Sequence, residues 1–231
     1  MAAVASLAGA VGSRRAAAVT KPLPIALLAA HTARDWRSRP PLDNTLLAGV
    51  LMFSAAGDRA MLVEEFTESS PVDHLDRLPV GERSTTKDRR LACGASLFAG
   101  AQLCYAAVML RRGARLAPRR IAPRMAILGE SAAVIARHRP RLLGVLGPYG
   151  STLATMSALA ADLAAPQPQV RAGGWLFLAS DLTILNRRHR LGNERLRRLA
   201  EVWVLASYFA AQALLLDGLS APTARRTGDP D

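Results

Sequence analysis

Residues Leu91 to Leu110 read LACGASLFAGAQLCYAAVML, twenty positions without Asp, Glu, Lys or Arg. A helix needs roughly 17–25 mostly apolar residues to cross the hydrocarbon of a bilayer, so this stretch alone is long enough to span. LLGVLGPYGSTLATMSALAA, from Leu142 to Ala161, is equally free of charge. Three more windows are nearly as apolar: LLAGVLMFSAAGDRAMLV (Leu46 to Val63), AGGWLFLASDLTILN (Ala172 to Asn186) and VWVLASYFAAQALLL (Val202 to Leu216). PLPIALLAAHTA (Pro22 to Ala33), the Ala/Gly-rich start, and the stretch from Ile121 to Ala136 with Arg124 and Glu130 inside it are weaker. The expected fold is all-α, a polytopic transmembrane helical bundle of about eight helices. It forms a single multispanning domain over residues 1–221, with a polar C-terminal tail over 222–231.

The 231 residues are 50% hydrophobic and carry 30 Lys and Arg against 18 Asp and Glu, a net charge of +12. That aliphatic content excludes intrinsic disorder. Two cysteines, Cys93 and Cys104, within one apolar stretch exclude a disulfide framework. The basic residues gather in short runs, RDWRSR at 34–39, RRGARLAPRR at 111–120, RHRPR at 137–141 and RRHRLGNERLRR at 187–198. Each run borders an apolar window instead of striping one helix face, as a nucleic-acid reader would. The partner expected of these runs is the bilayer with its anionic headgroups, not nucleic acid. If Ile121 to Ala136 re-enters or lies in the interface, 34–39, 111–141 and 187–198 share one side, opposite EEFTESSPVD (64–73) and AAPQPQ (164–169). The N-terminus has no basic region ahead of an apolar core and so does not read as a cleaved secretory signal. Its Ala/Arg-rich, acid-free character fits a degenerate first helix or a transit peptide. The oligomeric state and the sidedness stay open.

Two carboxylates lie within apolar windows, Asp58 in FSAAGD and Asp181 in FLASD. A charged group in mid-membrane costs at least a few kcal/mol, so each needs a partner or a function. Small residues precede both and let neighbouring helices approach closely. FAGAQLCY (98–105) and YFAAQ (208–212) are also alike, with Gln102 and Gln212 at corresponding places. Together these similarities suggest two pseudo-repeated halves with a site between them near the midplane. The plainer reading of Asp58 is a pair with Arg59 beside it. His31, His74, His138 and His189 lack metal-ligand spacing, and no serine stands in a nucleophile elbow. Neither a metal nor an organic cofactor is expected.

The order KPLPIALL (21–28), GVLMFSAAGDRAML (49–62), SLFAGAQLCY (96–105), PYGSTLATM (148–156), GGWLFLASDLTIL (173–185) and SYFAAQALL (207–215) resembles the lysoplasmalogenase, or YhhN-like, family of integral membrane proteins. The resemblance covers nearly the whole chain. It implies a multi-pass enzyme, set in a bacterial plasma membrane, that hydrolyses the vinyl ether bond of a lysophospholipid to a fatty aldehyde and a glycerophospho-headgroup alcohol. It further implies Asp58 and Asp181 as the catalytic pair, with Lys21, Tyr149, Tyr208 and Gln212 lining the site. Gln102 and Arg59 complete the substrate-binding set and depart from the pattern: Gln102 stands where the family often has His, and Arg59 where an apolar residue is usual. Two carboxylates in a poorly solvated pocket can divide into one protonated acid and one ionised partner, the division that such a hydrolysis needs. Two other classes fit parts of the pattern. A proton-coupled transporter or lipid-binding membrane protein would also use paired acids in repeated halves, and a soluble basic helical protein would leave the cell without detergent.

Overall fold

A computed structural model describes residues 22–65, 85–138, 140–163, 167–190 and 194–221. Seven α-helices occur among them: α1 (Pro22–Arg34), α2 (Pro41–Glu65), α3 (Thr85–Arg111), α4 (Pro118–His138), α5 (Leu143–Ala160), α6 (Pro168–Arg190) and α7 (Glu194–Ser220), with 3-10 turns at Trp36–Ser38 and Pro140–Leu142. The all-helical expectation holds. The described residues contain seven α-helices, not eight, and the Ala/Gly-rich start and the polar tail lie outside them. Proline opens α1, α2, α4 and α6, where its fixed φ suits the helix and its missing N–H would be unsatisfied in any case. By length and composition, four segments can cross a membrane: Pro41–Leu62, Asp88–Arg111, Pro140–Ala160 and Val202–Ser220. The 13 residues of α1 make about 20 Å of helix, short of a bilayer's hydrocarbon.

Neighbouring helices pack through small residues. A Cβ on Gly49 would lie 3.0 Å from Cys104, one on Gly57 3.0 Å from the Phe98 ring, and one on Gly94 2.8 Å from Met61. These pairings run in opposite senses along the chain, so α2 and α3 are antiparallel. The same logic joins α6 to α7, where Gly173 meets the Ala211 carbonyl oxygen, and α5 to α6, where Gly174 meets Ala160. Around this frame Leu47, Val50, Val108, Met109, Leu153, Met156, Leu159, Phe177, Leu215 and Leu219 are closed off. Met52, Leu103 and Trp203 point outward, exposed. Apolar side chains inside and outside together are the mark of a bundle set in lipid.

Contacts of Arg124 with Ser157 and of Leu128 with Gly150 lay α4 antiparallel along α5. The basic runs at 111–120 and 137–141 therefore stand at opposite ends of one helix pair. α4 is continuous over 21 residues and is not among the four segments long and apolar enough to cross a membrane.

At the end of the bundle where α2 begins, buried Arg39 fastens the chain. Its Nε donates to Oδ1 of Asn44 at 2.9 Å, its Nη1 to the Ser220 carbonyl at 3.2 Å and its Nη2 to the Thr32 carbonyl. Burial lowers the Arg39 guanidinium from its ordinary value, and Asp35 and Asp43 oppose that shift. Asp43 also accepts a 2.8 Å bond from Nε of Arg111. Gly113, at φ 85°, turns the chain after α3, the left-handed conformation that glycine adopts without steric penalty just past a helix end. The backbone N–H of Arg115 then reaches Oδ2 of Asp162 at 3.0 Å, and Nε of Arg120 reaches Oδ1 at 2.8 Å.

Candidate active site

Asp181 stands in the middle of α6, 8% exposed, and Oδ2 of its carboxylate accepts a hydrogen bond from the Tyr149 hydroxyl of α5. Asp58, half-buried on α2, accepts a longer one, 3.4 Å, from the Tyr208 hydroxyl of α7. Each carboxylate is thus met by a phenol from a different helix. Three aromatic rings enclose Tyr208: Phe98 at 5.8 Å and Phe177 at 5.6 Å, both edge-on, and Phe209 at 5.0 Å. These rings leave the Tyr208 hydroxyl as the polar tip of an apolar body.

Gln212, one turn beyond Tyr208 on the same face of α7, uses both ends of its amide. Its Oε1 accepts from the Tyr105 hydroxyl at 2.5 Å, and its Nε2 donates to Oγ of Ser54 at 2.8 Å and to the Tyr208 hydroxyl at 3.1 Å. The directions along this chain are therefore set. Tyr105 can only donate to the carbonyl end of the amide, the NH2 end then faces Tyr208, and the Tyr208 proton goes to Asp58. Tyr105 and Gln212 are both fully buried, so these bonds operate without competition from water.

Gln102 on α3 is likewise fully buried. Its Oε1 accepts from the Thr152 hydroxyl at 2.5 Å, and the same hydroxyl lies 2.8 Å from the Tyr149 carbonyl. Its Nε2 makes no hydrogen bond of regular geometry among the described residues and faces the Tyr149 hydroxyl. The two glutamines that suggested a repeat are thus used differently, one closed by three bonds and the other held by the Thr152 hydroxyl. A two-fold relation between halves is not seen among the described residues.

Of the residues expected at the site, Asp58, Tyr208 and Gln212 are joined in one hydrogen-bonded chain, Asp181 and Tyr149 form a second pair, and Gln102 approaches that pair through Thr152. Arg59 is exposed on α2, away from these bonds, because the residue after a helical aspartate projects about 100° around the axis. Lys21 lies outside the described residues. The sequence reading passed over Tyr105, Thr152 and Ser54. Tyr105 closes the quoted FAGAQLCY block, and Ser54 precedes Asp58 by one helical turn, spacings that place each on a helix face shared with a chosen residue. Thr152 gave no such signal. Among the described residues, no group of three or more His, Cys, Asp or Glu stands close enough to hold a metal ion.

The sequence model of the YhhN family matches residues 16–219. Comparison with curated proteins gives no match, and comparison with solved structures gives none.

Proposed function

The chain belongs to the YhhN family, which includes lysoplasmalogenases, and from that membership we propose that it hydrolyses the vinyl ether bond of a lysoplasmalogen within the membrane. The observation that carries the reading is the pair of phenol-held aspartates, Asp181 on Tyr149 and Asp58 on Tyr208. A carboxylic acid delivers a proton to the alkene carbon remote from the ether oxygen, and the electron pair of the double bond forms the new C–H bond. The oxocarbenium ion left behind is stabilised by the other, ionised carboxylate, which also takes a proton from the attacking water. The resulting hemiacetal loses the glycerophospho-alcohol and becomes the fatty aldehyde. Tyr149 and Tyr208 orient the two carboxyl groups, and Gln212 fixes Tyr208. The Gln102 amide, beside Tyr149, suits the ether oxygen or the water. Lys21, with Arg59 as a second candidate, suits the headgroup phosphate. The chemistry asks for no cofactor.

Purified protein given lysoplasmenylethanolamine is expected to release fatty aldehyde, and Asp58→Asn and Asp181→Asn are each expected to abolish release. Undiminished turnover in both variants removes the mechanism. Passage of intact lipid across proteoliposomes without aldehyde would assign the two acids to transport instead.

A further inference from the structure

Arg124 is a cation enclosed without an anion. It sits in α4, 3% exposed, with Nε donating to Oγ of Ser157 at 2.9 Å and Nη1 to the Arg120 carbonyl at 2.5 Å. Its guanidinium lies 4.1 Å over the Trp175 ring of α6. No carboxylate among the described residues pairs with it, and Nη2 donates to none of them. Asp162, the acid of this corner, is engaged by Arg120 and by the Arg115 N–H. Arg115 and Arg119 are exposed beside Asp162, so at this corner four arginines stand with one aspartate among the described residues. At the neighbouring corner the accounts differ: Arg111 pairs with Asp43 at 2.8 Å, and all three Arg39 nitrogens donate to Asn44 and to backbone carbonyls.

A guanidinium closed off from water needs a counter-charge or a full set of acceptors. The cation–π contact with Trp175 and two neutral acceptors do not supply one. Arg124 is the seventh residue of α4, about 9 Å from the helix start. Ser157 is three residues from the end of α5, and Trp175 is two turns into α6. Ser157 lies near the end of a candidate span, Pro140–Ala160, the level at which a spanning helix meets headgroups, and Trp175, 40% exposed, puts the site on the outside of the bundle. The guanidinium fork matches a phosphate in geometry, and its own weak hydration suits it to an enclosed ion pair.

We propose that Arg124, backed by Trp175 and flanked by Arg120, is a headgroup site for an acidic phospholipid, with the phosphate oxygens on Nη2. The site lies on the α4–α6 flank and does not depend on the hydrolase reading. The test uses full-length protein with Trp36→Phe and Trp203→Phe, so that Trp175 is the remaining tryptophan. It is placed in phosphatidylcholine vesicles containing either bromine-labelled phosphatidylglycerol or bromine-labelled phosphatidylcholine at the same mole fraction. Phosphatidylglycerol is expected to quench Trp175 more strongly, with enrichment of about fivefold, the factor that one arginine contributes near a charged bilayer. Arg124→Gln is expected to bring the two lipids level, and Arg124→Lys to keep part of the difference. Equal quenching with Arg124 present, or a phosphatidylglycerol preference that survives Arg124→Gln, overturns the proposal. If Arg124→Gln does not assemble, the comparison between lipids with Arg124 in place still decides. Excess inorganic phosphate is expected to leave the quenching unchanged, and its relief by phosphate would overturn the lipid assignment in favour of a soluble phosphate.

Discussion

The Tyr105 hydroxyl donates to Oε1 of Gln212 at 2.5 Å, across 107 positions of sequence, and so decides which end of the Gln212 amide faces Tyr208. Without that donor the amide can turn over, present its oxygen to Tyr208 and draw the phenol's proton away from Asp58. Tyr105→Phe is therefore expected to lower kcat roughly five- to tenfold, the equivalent of one buried hydrogen bond, and to leave KM within about twofold, because Tyr105 does not face the lipid. In a Gln212→Leu background the same substitution is expected to add nothing, since the two act through one bond. Steady-state aldehyde release from the four proteins of this cycle measures both effects.

The α6–α7 contact depends on a missing side chain. A Cβ at Gly173 would lie 2.9 Å from Leu215 and 3.1 Å from the Ala211 carbonyl oxygen, and backbone cannot step aside as a flexible side chain can. Gly173→Ala is expected to destabilise the bundle by about 1–3 kcal/mol through overpacking. Gly129 has nothing within 4 Å of its added Cβ, and Gly129→Ala is expected to stabilise by up to about 1 kcal/mol through helix propensity. Thermal melting in detergent separates the two, one midpoint falling and the other level or rising.

The backbone N–H of Arg115, helped by Arg120 and Arg119, holds the Asp162 carboxyl below its ordinary value. A depressed folded-state value means that the contribution to stability is present above the unfolded-state value and disappears as pH falls through the folded one. At neutral pH, Asp162→Asn is expected to melt below the parent protein. The gap is expected to narrow as pH drops through about 4, where an unfolded aspartate takes up its proton. Melting at pH 7 and at pH 3 checks the sign.

The bundle was legible because bilayer length and charge-free windows are one-dimensional properties: Leu91 to Leu110 and Leu142 to Ala161 announce α3 and α5 without reference to anything else. The acids were legible for the same reason, since a carboxylate in an apolar window is anomalous wherever its partner lies. Partners are not one-dimensional. Tyr105 and Thr152 are ordinary residues in helical positions until the crossing of α3 with α5 and α7 brings them to the two glutamines. Similar local strings at Gln102 and Gln212 suggested a repeat, yet the bonds made by an amide are set by what packs opposite it. Arg124 weakened Ile121 to Ala136 as a membrane segment, but Ser157 and Trp175 give that arginine a place along α5 and α6.

Arg39 finds the Ser220 carbonyl 181 positions further along the chain, so the guanidinium that locks the α1–α2 turn lacks one of its acceptors until the last helix has left the ribosome. The turn between α1 and α2 is thereby completed by the C-terminal end of α7, so two segments remote in sequence are closed on one side chain.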